Sequence, residues 1–243
     1  MAELVHPTEA ARAFAASGLA ERMGPKNLLA RRAADAAAYK EQYGRGMLDW
    51  GAVSPGVAAG VVDAARAAKR ACAEAGYAAL ARMPWRIALS GDASVENGYP
   101  HTVGDFMVIP LRAITSGAFG DLGQLLVHEA VHVAQRRDPE GAYRLVVGEW
   151  GFERVTDAAA VDGLGEARVN PDTDGLVYGL EGKLCHPVFS KASPSSLADV
   201  SLRPDGAYPR FEGLARNHEH PFEIMAELIA SSVKESITRR SCL

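Results

Sequence analysis

His128-Glu129-Ala130-Val131-His132 decides how the rest of the chain is read. Residues four apart lie on one face of a helix, so the two imidazoles stand one turn apart with the Glu129 carboxylate beside the first. Imidazoles at that spacing can share one cation and leave the carboxylate near its open side. The helix around them reads Asp121-Leu122-Gly123-Gln124-Leu125-Leu126-Val127 before the pentad and Val133-Ala134-Gln135 after it. It is apolar on nearly every side except the stripe Gln124, His128, His132 and Gln135, and a helix apolar almost all round is a buried one. A buried carboxylate between two imidazoles needs compensation, which a divalent cation supplies directly. Two core histidines satisfied by backbone carbonyls are the plainer alternative.

A catalytic zinc takes three protein ligands and keeps a fourth position open, so a third donor has to come from elsewhere. The best source is His218-Glu219-His220-Pro221-Phe222-Glu223-Ile224-Met225-Ala226-Glu227. Pro221 suits the first position of a helix and biases His220 away from helical geometry, which predicts a helix from 221 to about 238. Glu223 and Glu227 then share a face, with the small Ala226 and Ala230 beside them to let a second helix approach. Glu223 is expected as the third ligand and Glu227 as a carboxylate accepting the far ring N–H of a ligating histidine. Ordinary solvent-facing glutamates are the alternative for both.

Of the 243 residues, 48% are hydrophobic and 23% charged, enough for a sizeable core in one domain or in a catalytic domain with an appendage. A net charge of -4 and a pI near 6.0 provide no basic field and give no support for a nucleic-acid partner. Basic pairs such as Arg31-Arg32 and Arg136-Arg137 read as solvated helix faces. Cys72, Cys185 and Cys242 are odd in number and far apart, unlike a disulfide framework. No stretch approaches the ~18 apolar residues of a membrane span, and the first residues lack the apolar core of a secretory signal. The expectation is a soluble, cytoplasmic protein with no membrane partner.

Residues 8 to about 82 are rich in Ala with interspersed charges and read as two or three helices, broken at Gly24-Pro25, Gly44-Arg45-Gly46 and Ser54-Pro55-Gly56. No chemistry is visible in this third, whose expected task is packing or a lid. Trp85–Ser90 and residues 105–110 read as strands, and Pro110 suits an edge. Residues 175–180 and Lys183–Phe189 flank Glu181-Gly182 at hairpin spacing. A dense run of turn formers, Asn170-Pro171-Asp172-Thr173-Asp174-Gly175, precedes that hairpin. Helices are expected from 119 to about 137, from 142 to about 160, and from 221. The order predicts an α+β fold: a helical N-terminal region over 1–82 packed on a core of 83–243 with a small mixed sheet and the buried His128 helix.

His128-Glu129-x-x-His132 together with the later Glu223-x-x-Ala226-Glu227 resembles the gluzincin branch of the zincin metallopeptidases, over two short segments about ninety residues apart. The metzincin branch does not fit, because residues 133–139 hold neither the Gly nor the third His it requires. The resemblance implies a zincin-like catalytic domain holding one Zn2+ per chain on His128, His132 and Glu223, with Glu227 in support. It implies Glu129 as general base, taking a proton from zinc-activated water and passing it to the leaving amine. It implies a peptide or protein substrate paired through its main chain with the edge strand before the active helix, at 105–110. An oxyanion-stabilising residue is also implied; Tyr178 is chosen for it among Tyr178, Tyr208, His186 and His218. The expected function is a zinc metallopeptidase. The alternatives are an inactive or structural zincin-like domain binding a protein partner through its Ala-rich N-terminal helices, and a metalloenzyme doing non-hydrolytic chemistry on a small molecule.

Overall fold

The computed structural model describes every residue except 92, 94, 158–160, 162–164, 205–206, 214, 216–217 and 241–243. Among the described residues, helices α1 (Pro7–Ala16), α2 (Pro25–Ala30), α3 (Ala36–Gly46), α4 (Pro55–Glu74) and α5 (Ala78–Arg82) occupy the first third. Helices α6 (Leu111–Thr115), α7 (Leu122–Arg137), α8 (Pro139–Tyr143) and α9 (Pro221–Arg240) lie further along. The larger sheet has the order β1 (Ala2–Leu4), β3 (Trp85–Ser90), β5 (Phe106–Pro110), β4 (His101–Val103), with β2 (Met47–Leu48) also paired to β3. β1 and β5 run parallel to β3, while β2 opposes β3 and β4 opposes β5, so the sheet is mixed. The fold is α+β.

Helices cover both faces of this sheet, and the period of two decides which residues meet which helices. Trp85, Ile87 and Leu89 of β3 and Met107 and Ile109 of β5 enter one core with Val61, Ala65 and Cys72 of α4 and Leu126, Val127 and Ala130 of α7. Ala88, Phe106 and Val108 enter another with Phe14 of α1 and Tyr39 and Tyr43 of α3. Strands buried on both faces read as continuous apolar runs, which is why these two stood out in the sequence.

Local signals set several boundaries. Pro25 and Pro55 occupy the first turns of α2 and α4, and the Ser54 side chain accepts from the Val57 N–H. The expected break at Gly44-Arg45-Gly46 falls at its last residue: α3 ends at Gly46, Met47 is extended, and β2 follows. The Glu181-Gly182 hairpin forms as expected: Leu180 pairs with Lys183 between β7 (Tyr178–Leu180) and β8 (Lys183–Phe189), and both turn residues have positive φ, 52° and 74°. Two left-handed residues make the turn whose twist matches antiparallel strands. With β6 (Glu153–Arg154) and β9 (Val200–Pro204) these strands build a second, antiparallel sheet.

Two expectations are corrected. Residues 105–110 do not form an edge: β5 is paired on both sides, and β4, a three-residue strand too short to show a pattern, takes the edge. The helix expected from 142 to about 160 does not run that far. α8 passes into a wide turn over Arg144–Glu149, Gly151 turns left-handed at φ 78°, and β6 follows; residues 158–160 lie outside the described ones.

α9 packs along α7 and also meets α4, with Ala130, Ala226 and Ala230 buried. Small side chains at those places let the two helix axes come close, which brings Glu223 to the histidines. No helix among the described residues is long and apolar enough to cross a membrane.

Candidate metal centre

Asp121 starts α7 by accepting from the Gln124 N–H at 2.7 Å, and the helix then carries His128 and His132 on one face. Pro221 opens α9, whose entry is held by His220: its Nδ1 accepts from the Phe222 N–H at 3.1 Å and its Nε2 meets Asp174 Oδ1 at 3.0 Å. Glu223 follows in the first turn of α9. The two histidine Nε2 atoms stand 3.1 Å apart, and Glu223 Oε2 lies 3.4 Å from that of His128 and 3.7 Å from that of His132. Tetrahedral zinc ligands at ~2.0–2.1 Å from the ion are themselves about 3.3 Å apart. The three donors therefore have the spacing of a shared cation, and this His-His-Glu group could hold a metal ion.

Each donor is oriented from behind. Gln135 Oε1 lies 2.9 Å from His132 Nδ1, while the Gln135 amide N–H donates to the Phe222 carbonyl at 3.0 Å. Since Gln135 accepts, His132 carries its hydrogen on Nδ1, and the Nε2 lone pair is available to an ion. Asn170 donates to Glu223 Oε1 at 2.7 Å and with its other N–H to Glu219 Oε1, so Glu223 turns its second oxygen to the histidines. Arg168 pairs with the remaining oxygen of Glu219. His132 is 1% exposed, Glu223 6% and His128 24%, so His128 is the donor of the three most open to solvent.

Glu129 is buried, and its Oε2 has no hydrogen-bond partner among the described residues. It lines a cavity of 760 Å³ together with His128, Glu223, Asn170 and Asp172. Burial, and after it the Asp172 charge, push the Glu129 carboxyl well above the usual carboxylate range. Glu223 goes the other way: burial opposes its charge, but His132 and His128 hold it well below that range. For His132, burial is outweighed by Glu223 and Asp172, and the imidazole is raised to about 9. The two buried carboxyls are thus shifted in opposite directions by their surroundings. Two imidazole nitrogens and an anionic carboxylate oxygen are a donor set that a divalent ion fits, with the orphaned Glu129 oxygen beside it.

The structure thus brings together His128, Glu129, His132 and Glu223 as the sequence grouped them. Glu227 lines the same cavity, although the ring N–H of His132 goes to Gln135 and not to it. Tyr178 stands apart from the cavity wall: its hydroxyl donates to Asp174 Oδ2 at 2.7 Å. Tyr208 donates to the Tyr178 carbonyl at 2.7 Å, His218 Nε2 meets the Ala215 carbonyl at 2.9 Å, and His186 lies opposite Arg203 in β8, none of them on that wall.

The N-terminal third holds chemistry that composition did not suggest. Arg31, read as part of a solvated pair, is buried on the cavity wall and makes two bonds to Glu96, at 2.8 and 2.7 Å. Tyr39 donates to the same carboxylate at 2.5 Å. Arg136, of the other basic pair, is also engaged: it donates to the Thr102 carbonyl of β4 at 3.2 Å and to the Pro171 carbonyl at 2.8 Å. Asn170 and Gln135 were visible as a turn cluster and as part of a polar stripe, but nothing in the sequence paired them with Glu223 and His132.

The sheet edge nearest the site is occupied. The Thr102 N–H of β4 donates to Asp172 Oδ1 at 2.6 Å, and Arg136 covers the carbonyls of Thr102 and, at 3.3 Å, Gly104. No family model, curated protein or solved structure matches the chain.

Proposed function

We propose that this chain is a zinc-dependent hydrolase of amide bonds, a metallopeptidase on a zincin-like catalytic unit, with His128, His132 and Glu223 holding the ion and Glu129 as general base. The observation that carries the reading is the spacing of the three donors, 3.1, 3.4 and 3.7 Å, beside a buried, unpartnered Glu129 oxygen on the same cavity. A divalent ion held by His128, His132 and Glu223 would supply a polarised water and a Lewis acid for the scissile carbonyl. Glu129 accepts the proton at Oε2 and delivers it to the leaving nitrogen. Gln135 keeps the His132 tautomer in place throughout, and Glu227 is positioned on the cavity wall to support His128.

The substrate does not pair with the sheet edge, because Asp172 and Arg136 take the outward groups of β4. It lies between the first half of α7 and the outer turns of α9, where Asp121, Gln124, Leu125, Ala230, Ser231 and Lys234 line the cavity. The occupied edge also favours a second reading, a compact polar molecule as substrate in place of an extended peptide.

A broad peptide library and small amides, offered to the zinc-loaded chain and to Glu129→Gln, separate these outcomes. The variant should retain one zinc and lose about 10²–10⁴-fold in turnover. Hydrolysis by the variant at the wild-type rate would overturn the assignment of Glu129 and with it the mechanism.

A further inference from the structure

We infer that Asn170 is a positioning residue for the metal centre: it takes up Oε1 of Glu223 and so presents Oε2 alone to the two histidines. The inference rests on the metal-centre reading above. Glu223 Oε1 accepts from Asn170 at 2.7 Å, while Oε2 is the oxygen 3.4 and 3.7 Å from the imidazole nitrogens. A carboxylate otherwise rotates between one-oxygen and two-oxygen ligation, and a fixed donor on one oxygen removes that freedom. Both N–H groups of the Asn170 amide are engaged, one by Glu223 and the other by Glu219, so the amide plane itself is set. The neutral amide is the side chain that fits between two buried carboxylates, since an aspartate there would bring a third negative charge and no donor.

The delivery of Asn170 reaches back to the N-terminal helices. Its predecessor Val169 is held on both backbone groups: the N–H donates to Asn27 Oδ1 at 2.7 Å, and the carbonyl accepts from Arg31 at 2.8 Å. Asn27 also donates to the Ala167 carbonyl at 2.7 Å and through its backbone N–H to Glu166 at 3.0 Å. Gly24 makes room for that approach, because a Cβ there would stand 2.6 Å from Glu166 Oε1. Downstream, Asp172 is bound to Thr102 and Asp174 to His220, so the turn is anchored on both sides of the site. α2 thereby positions a side chain that aims the third ligand.

The test is the zinc dissociation constant of the full chain by chelator competition, with Asn170→Ala, the isosteric Asn170→Asp and Glu223→Ala, beside the melting temperature of each metal-free protein. Asn170→Ala and Asn170→Asp should each weaken zinc by about 10–100-fold, with Asp the weaker binder. The uncharged Asn170→Ser, which also removes the amide donors, carries the test if the other two variants do not fold. A metal-free melting temperature that falls while zinc affinity holds would mark Asn170 as a packing residue and overturn the inference. Glu223→Ala tells the two readings apart. If it loses zinc and both Asn170 variants do not, the positioning role fails and the metal centre stands; if it binds zinc like wild type, the metal centre itself fails.

Discussion

His132 and Gln135, one turn apart on α7, are joined through the imidazole Nδ1 and the amide oxygen at 2.9 Å, and the same amide reaches the Phe222 carbonyl of α9 at 3.0 Å. One side chain therefore fixes the His132 tautomer and ties together the two helices that carry the three candidate donors. Gln135→Leu keeps much of the volume and removes both bonds. Zinc affinity, read by chelator competition, should fall about 10–100-fold, and a variant that binds zinc as tightly as wild type would show that His132 needs no such support.

The metal-free protein should depend on pH in a defined direction. His132 stands at about 9 in the folded chain against about 6.5 for an unperturbed imidazole. With the folded value raised, the stability it contributes is full below about pH 6.5 and is lost as pH rises through about 9. Glu223 is depressed, so its contribution is present above the ordinary carboxylate range and lost as pH falls below it. Zinc must displace the His132 proton, and its apparent affinity should climb about tenfold per pH unit and level off near pH 9. A flat profile between pH 6 and 8, measured by competition at several pH values, would count against His132 as a ligand.

Arg31 and Glu96 form a buried pair whose side chains are 1% and 3% exposed. Breaking it from one side leaves a carboxylate with Tyr39 and without its cation, and Arg31→Met should cost about 3–5 kcal/mol in denaturant unfolding. Adding Glu96→Gln removes the uncompensated charge and should recover part of that loss. If Arg31→Met unfolds like wild type, the pair is not holding the N-terminal helices to the cavity wall.

Features of the fold and site whose cause is local were legible in the chain alone. Four-residue spacing put His128 and His132 on one face, Pro221 started α9, and Glu181-Gly182 closed a hairpin, since each depends on neighbours within a turn of the chain; the α7 start, expected at 119, falls at Leu122 after the Asp121 cap. The choice of Glu223 was also within reach, because a carboxylate followed by small residues marks a close helix contact.

What stands behind those side chains is set by contacts between distant segments. Asn170 and Glu223 are 53 residues apart, Gln135 and Phe222 87, and Thr102 and Asp172 70, and no local period records such pairings. For the same reason the edge strand was misplaced: β4 is three residues long, and its position at the sheet edge is a property of the assembled sheet. Hydrophobic periodicity reports which side of an element is buried, not which polar atom meets it there. The ligands were legible because helices repeat, and their supports were not because a hydrogen bond between distant segments exists only once the chain has closed.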